Sequence, residues 1–122
     1  MTHTIVHFEI PANDLVRLKG FYADLFGWGI ETDTAFPDYL MVHTAPEGKG
    51  VNGGLAKRRD PRQTPLNYID VESVDEYVDK VAKLGGQSVV AKTAIPKMGY
   101  FAVCLDPEGN AFGLFQMDEK AA

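Results

Sequence analysis

The fold is decided at residues 100–115, YFAVCLDPEGNAFGLF, where a turn separates two segments with the alternation of β-strands. Much of this stretch repeats an earlier part of the chain. Three segments recur about sixty residues later, with offsets of 61, 61 and 59: HFEI at 7–10 and YIDV at 68–71, YLMVH at 39–43 and YFAVC at 100–104, GGL at 53–55 and FGL at 112–114. The repeat predicts two similar units with pseudo-twofold symmetry, and a site between them is the natural place to seek function.

Each unit is predicted to contain a strand, a helix and three further strands. In the first, Asn13 or Asp14 caps a helix with apolar residues at three-and-four spacing, and Gly27 ends it. In the second, residues 73–76, SVDE, form a capping box, and the helix stops at residues 85–86, GG. We therefore expect an α+β domain of two tandem βαβββ units, whose curved mixed sheets surround a cup.

Prolines and glycines mark the boundaries between these elements. Pro11 is expected to close the first strand, and turns are predicted at residues 37–38, PD, and 46–48, PEG. The polar, proline-bearing residues 58–65 read as a linker, which gives a first unit over 1–57 and a second over 66–117 within one domain of 1–122.

Composition excludes several classes of function. The net charge of −5 argues against nucleic-acid binding, and the one basic run, Lys57-Arg58-Arg59, reads as the start of a solvated loop. A single cysteine, Cys104, leaves no intrachain disulfide, and no apolar run is long enough to span a membrane. We expect a cytoplasmic protein with neither a nucleic-acid nor a membrane partner.

Strand alternation divides the remaining residues between two faces, because one helix covers only one face of each sheet. The apolar series is predicted to pack under the helices: Phe8, Leu40, Val42, Ile69, Val71, Phe101, Val103, Phe112 and Leu114. The complementary series mixes aromatic, small and ionisable groups, as ligand pockets do, and is predicted to line the open face: His7, Glu9, Tyr39, Met41, His43, Gly54, Ala56, Tyr68, Asp70, Tyr100, Ala102, Cys104, Gly113 and Phe115.

The paired units resemble the vicinal oxygen chelate superfamily, which includes glyoxalase I, extradiol dioxygenases, methylmalonyl-CoA epimerase and the fosfomycin- and bleomycin-resistance proteins. The resemblance rests on the repeated strand-helix-three-strand order and on three motifs: FY at 21–22, LFGW at 25–28 and DPEGN at 106–110. It covers essentially the whole chain and is specific for fold more than for chemistry.

The resemblance also implies where a divalent metal would be held. Metal-dependent members carry ligands in the first strand and near the end of the last strand of each unit, and here the matching positions are His7, Gly54, Tyr68 and Gly113. Glycine has no side chain to coordinate a metal, and neutral tyrosine is a poor ligand, so only His7 is retained. We expect no cofactor, and the alternative is a displaced metal site that combines His7 with Glu9, His43 or Asp70.

Two residues are candidates for catalysis, and seven for binding a ligand. His7 is a catalytic or a pocket-lining histidine, and Glu9 is its potential acid–base partner, although Glu9 and Asp70 also suit a cationic ligand or simple pairing with a basic residue. Aromatic and polar groups of the open face are the binding candidates: Tyr39, Met41, His43, Tyr68, Asp70, Tyr100 and Phe115. Cys104 is expected to be a packed thiol.

Three functions follow from these patterns. The first is a small-molecule-binding protein of the glyoxalase and bleomycin-resistance type without the usual metal site. The second is a metal-dependent lyase, isomerase or dioxygenase that uses His7 with non-standard ligands, and the third is a noncatalytic regulatory or interaction module. The resemblance further implies a homodimer, because members commonly pair two chains to complete each cup.

Overall fold

The predicted order of elements is confirmed by a computed structural model, which describes residues 3–33, 36–45 and 49–122. Two βαβββ units follow one another, as expected for the α+β class. Their elements are β1 (Ile5–Ala12), α1 (Leu15–Phe26), β2 (Gly29–Asp33), β3 (Phe36–His43), β4 (Gly53–Lys57), β5 (Leu66–Asp70), α2 (Val74–Lys83), β6 (Gln87–Ile95), β7 (Gly99–Leu105) and β8 (Ala111–Met117). The chain divides into a first half, His7–Leu66, and a second half, Asn67–Ala122 together with residues 3–6.

The first half is a mixed four-stranded arrangement with one helix. Its strands lie in the order β2-β3-β4-β1, with β1 and β4 parallel and the other neighbours antiparallel. Helix α1 begins at Asp14, whose carboxylate accepts the N–H of Arg17 at 3.0 Å. It ends at Gly27, whose φ of 73° lies in the left-handed region that glycine adopts at little cost.

The second half repeats this arrangement with the order β5-β8-β7-β6, in which β5 and β8 are parallel. The Ser73 hydroxyl accepts the N–H of Glu76 at 3.1 Å and so caps α2 as predicted. At the other end, Gly86 N–H donates to Val81 O at 2.9 Å and Gly85 N–H to Ala82 O at 3.3 Å, which is a Schellman motif. Local sequence signals therefore set both ends of this helix.

Two predicted boundaries differ from the structure, and a third is not tested by it. Strand β1 continues through Pro11 to Ala12, because proline lacks only its own N–H donor and can still adopt a strand conformation. The carbonyl of Ala12 accepts the N–H of Arg58 at 2.8 Å. Pro37 and Asp38 lie within β3 instead of forming a turn. The turn predicted at residues 46–48 lies outside the described residues.

Each half has its own apolar core on the helix side of its strands. In the first half, the buried residues Ile30, Leu40, Val42 and Leu55 pack with the half-buried Phe8, Ile10, Leu15, Leu18, Tyr22 and Trp28. In the second half, the buried residues are Val71, Val74, Ala102, Cys104 and Leu114, surrounded by Ile69, Tyr77, Val78, Val81, Tyr100 and Phe112. Fully burying an aliphatic side chain contributes roughly 1.5–3 kcal/mol, so these clusters supply much of the driving force for folding.

The predicted faces of β7 are wrong. Tyr100, Ala102 and Cys104, which alternation placed on the open face, belong to the core on the α2 side. Phe101 and Val103, predicted under the helix, lie on the other face, because they pair with Phe115 and Gly113 across β8. Both faces of β7 are apolar, so its own alternation does not decide which face is covered.

Candidate functional site

Tyr39 and His7 form the polar centre of the open face in the first half. The Tyr39 hydroxyl and His7 Nε2 lie 2.5 Å apart in a hydrogen bond, and the two rings are nearly parallel, with an interplanar angle of 14°. The phenol ring lies directly over Gly54, where an added Cβ would overlap its ring carbons and hydroxyl. Glycine at position 54 therefore makes the room that this tyrosine occupies.

A row of side chains crosses all four strands beside this pair. Glu9 and Met41 both face Gly54 in the pairing of β1, β4 and β3, and Glu31 faces Met41 across β2 and β3. Directly opposed residues project to the same face of a sheet, so Glu31, Met41 and Glu9 share one face. Glu31 lies on the strand next to Met41, and Glu9 lies on the far side of Gly54. Glu31 was not predicted as a site residue from the sequence. The only sequence signal for it was its position in the short strand β2.

His43 lies on this face as predicted, but at its exposed side. Its Nε2 is 3.9 Å from a carboxylate oxygen of Glu31, and the two side chains are 45% and 73% exposed. A contact this exposed contributes little to stability. The structure therefore brings His7, Glu9, Tyr39 and Met41 close to Gly54, and leaves His43 at the rim.

Burial sets the protonation state of His7. The ring is half-buried, and its pKa is lowered from the ordinary value of 6.5 because burial disfavours the charged form. Near neutral pH the imidazole is therefore uncharged and has one nitrogen that donates and one that accepts. Whichever tautomer forms the bond with Tyr39, the pair contains both a donor and an acceptor.

This lowered pKa predicts a pH-dependent stability. When the pH falls below the ordinary pKa of 6.5, His7 of the unfolded chain binds a proton, whereas His7 of the folded chain binds one only at a lower pH. The free energy of unfolding should therefore fall as the pH drops from about 7 to about 5, and urea titrations at each pH measure it.

The matched variants are His7→Gln, which should flatten this dependence, and His43→Gln, which should retain it. The carboxyl groups with lowered pKa values, Asp60 and Asp106, act in a different window, because their contributions are lost only as the pH falls below about 4. An unchanged slope in His7→Gln would show that burial of this ring does not control the effect.

The second half repeats the contact between a tyrosine and a glycine. Tyr68 faces Gly113 across the parallel strands β5 and β8, and an added Cβ on Gly113 would overlap the phenol ring. Tyr68 is 7% exposed, and its ring meets Phe101 edge-on at 6.3 Å. The face of the second half is therefore filled around Gly113 by its own aromatic side chains.

Two other predicted residues of the second half share the face of Tyr68. Asp70 faces Phe115 across β5 and β8, and Phe115 faces Phe101 across β8 and β7. Phe101 is the aromatic member that sequence alternation missed, and the register of β7 is the signal that locates it. The backbone N–H of Asp70 donates to Thr4 O at 3.0 Å, which ties the start of the chain to β5.

Tyr100 and Cys104 are corrected to positions on the helix side. The ring of Tyr100 packs against the core, and its face is covered by Lys92, whose Nζ lies 4.5 Å from the ring centroid and 2.8 Å from an Asp75 oxygen. Cys104 is fully buried, and burial raises its thiol pKa, which agrees with a packed thiol. Tyr100 is therefore not on the face that carries Tyr68.

The four positions at which the resemblance implies metal ligands do not supply the usual set here. Two are the glycines covered by Tyr39 and Tyr68, one is Tyr68 itself, and one is His7. Within the described ranges 3–33, 36–45 and 49–122, no three His, Cys, Asp or Glu residues are grouped closely enough to hold a metal ion. The residues present do not fit the metal site that the resemblance implies.

Comparison with known proteins places the chain in a family. The model of the glyoxalase-like domain matches residues 6–115. The chain belongs to this family. It is also 32% identical over 114 residues to "Putative glyoxylase CFP32" of Mycobacterium bovis and of Mycobacterium tuberculosis, a match that covers 88% of this chain but only 43% of each relative. The chain thus spans less than half the length of these two relatives.

Two further similarities cover most of this chain and most of the protein to which it is compared. A glyoxylase-like domain-containing protein of Didymella fabae is 28% identical over 112 residues, covering 87% of this chain and 88% of the relative. A glyoxalase/bleomycin resistance protein/dioxygenase superfamily member from Vibrio splendidus 12B01 has the same fold, with a TM-score of 0.64, 16% identity and coverage of 96% and 100%. The predicted vicinal oxygen chelate fold is therefore confirmed. In the described part of the chain, neither α1 nor α2 has the length and apolar character that a bilayer crossing requires.

Proposed function

We propose that this glyoxalase-like protein binds a small aromatic or amphipathic molecule on the open face of its first half, without the metal site of its metal-dependent relatives. The observation that supports this most directly is the placement of Tyr39, which lies over Gly54 and is hydrogen-bonded to His7. A tyrosine fills the space into which a ligating side chain at position 54 would extend.

The chemistry of this face suits such a ligand. The Tyr39 ring and Met41 supply apolar, polarisable surface, and the neutral His7–Tyr39 pair supplies polar groups held in one geometry. Glu9 and Glu31 lie in the same row as Met41 and favour a cationic substituent over an anionic one. A pre-formed pair costs less entropy on binding than two mobile side chains.

A charge series of equal-sized probes tests this proposal. Benzylamine, benzyl alcohol and benzoate differ mainly in charge, and binding is measured by NMR from the shifts of the His7 ring and the Met41 methyl group. We expect affinity to fall in that order. Tyr39→Phe should weaken benzylamine binding by roughly fivefold to tenfold, because a net hydrogen bond contributes about 1 kcal/mol.

The control is Tyr22→Phe, which removes a hydroxyl from the helix side of the same half, where Tyr22 stacks on Trp28 at 5.2 Å. It should leave probe affinity unchanged. The proposal would be contradicted if none of the probes shifted His7 or Met41, or if both hydroxyl variants behaved alike.

Metal loading separates this proposal from the metal-dependent alternative. The protein is incubated with Ni, Zn, Mn or Fe(II) and desalted, and bound metal per chain is measured by elemental mass spectrometry. We expect far less than one metal per chain. Near-stoichiometric metal that is lost in His7→Ala would overturn the proposal and make a lyase, isomerase or dioxygenase the leading class.

A further inference from the structure

A basic concavity lies in the first half, away from the His7–Tyr39 pair. It has a volume of about 250 Å³ and is lined by Asn13, Arg58, Arg59, Asp60 and Pro61. These residues come from the segment before α1 and from the start of the linker, where the sequence showed only a short basic run. We name this surface the Arg58–Arg59 concavity.

Hydrogen bonds to Gln63 fix the backbone around this concavity. The side-chain oxygen of Gln63 accepts the N–H groups of Arg59 at 2.6 Å and of Asp60 at 3.2 Å. Its backbone carbonyl accepts Nη1 of Arg58 at 2.6 Å. The loop is therefore held in one shape before any ligand arrives, which lowers the cost of binding.

The charge of the concavity is positive although the chain as a whole is acidic. Asp60 is engaged by Arg62, whose Nε and Nη2 donate to the two carboxylate oxygens at 3.1 and 2.9 Å, and this lowers the pKa of Asp60 to about 2. In the described part of the chain, no carboxylate forms an ion pair with Arg58 or Arg59. Both guanidinium groups are charged at any physiological pH.

We propose that the Arg58–Arg59 concavity binds the phosphate group of a small molecule. A guanidinium presents planar, forked donors that match phosphate oxygens. Arg58 and Arg59 both line the concavity, so a dianionic phosphate should be attracted there more strongly than a singly charged carboxylate. Asn13, whose side-chain amide is a neutral donor, lines the same surface. This site is separate from the proposed aromatic site at Tyr39, and neither proposal depends on the other.

Titration with phosphate compounds tests the site. The probes are inorganic phosphate, phenyl phosphate and acetate at fixed ionic strength, and binding is followed by NMR from the backbone amides of Arg59, Asp60 and Gln63. Both phosphates should bind, and acetate should bind at least several-fold more weakly. Tighter binding of phenyl phosphate than of inorganic phosphate would identify an ester as the ligand, and the reverse would identify the free ion.

The variants remove positive charge from the concavity. Arg59→Gln should lower phosphate affinity about tenfold or more, since hydrogen bonds between charged groups are stronger than those between neutral ones. Arg58→Gln/Arg59→Gln should abolish measurable binding. The control Lys19→Gln/Lys49→Gln removes the same charge from exposed positions of the same half and should retain affinity within about twofold.

Two results would overturn the proposal. An equal loss in the lysine control would show a general charge effect, and an unchanged affinity in Arg59→Gln would show that the concavity is not the site. Because Arg58 also bonds to Gln63, thermal unfolding of each variant without phosphate is compared with wild type, and Arg59→Gln alone decides the outcome if the double variant unfolds early.

Discussion

Gly113→Ala is expected to destabilise the protein by about 1–3 kcal/mol, as overpacking in a closed environment does. The added Cβ would fall on the ring of Tyr68, which is 7% exposed and has little room to move. Gly113 lies in β8 and does not have a left-handed φ, so its backbone accepts alanine without strain. The whole effect is therefore steric, and the midpoint of urea unfolding measures it.

A double-mutant cycle with Tyr68→Ala identifies the clash as the cause. Removing the ring leaves space for the new methyl group, so the double variant should be more stable than the sum of the two single losses predicts. Gly20→Ala is the matched control, because Gly20 lies in α1 with no atom near an added Cβ, and alanine there should stabilise by up to about 1 kcal/mol. Additive losses in the cycle, or equal behaviour of the two alanine variants, would refute the steric explanation.

Features that depend on local sequence were predictable. The caps at Asp14 and Ser73 and the glycine end of α1 are confirmed, because each depends on residues within a few positions of one another. The repeated order of elements is confirmed as well. The fold class was predicted from the repeat. The faces of β1, β3, β4 and β5 also follow from simple alternation, since apolar and other residues alternate cleanly there.

The contacts that define the candidate site were less predictable. The sequence indicated that Gly54 and Gly113 are not metal ligands, but not that a tyrosine ring covers each of them. Such a contact depends on strand register, which sequence pattern alone does not fix. The concavity at Arg58 likewise depends on how Gln63 folds the linker back. The ligand, the homodimer and the cytoplasmic location remain predictions.

The role of the two tyrosines connects the fold with the proposed function. In both halves a glycine stands where metal-dependent relatives have a ligand, and in both halves an aromatic ring occupies the vacated space. In the second half the ring is buried among other aromatic residues, whereas in the first it is bonded to a neutral histidine beside Met41. The same glycine–tyrosine pattern thus gives a packed aromatic face in one half and a polar His7–Tyr39 pair in the other, which is why the proposal rests on Tyr39.

The second large prediction concerns strand β7, whose helix-covered and open faces were assigned the wrong way round from the sequence. Ala102 is fully buried against α2, opposite Leu114, and a larger side chain there has to displace the helix or the neighbouring strand. Ala102→Leu is therefore expected to cost about 1–3 kcal/mol, or more if the core cannot relax. If Ala102 lay on the open face, as alternation predicted, leucine would be accepted with little loss.

Ala91→Leu is the matched control for this test. It makes the same change in size at an exposed position of β6 in the same half, and its effect should stay within about 0.5 kcal/mol. Both variants are unfolded in urea, and near-ultraviolet circular dichroism reports whether the aromatic packing around Tyr100 is disturbed in Ala102→Leu alone. Equal stability of the two variants would mean that Ala102 does not support α2, and the α2-side core assigned to Tyr100 and Cys104 would have to be withdrawn, since all three residues share one face of the strand.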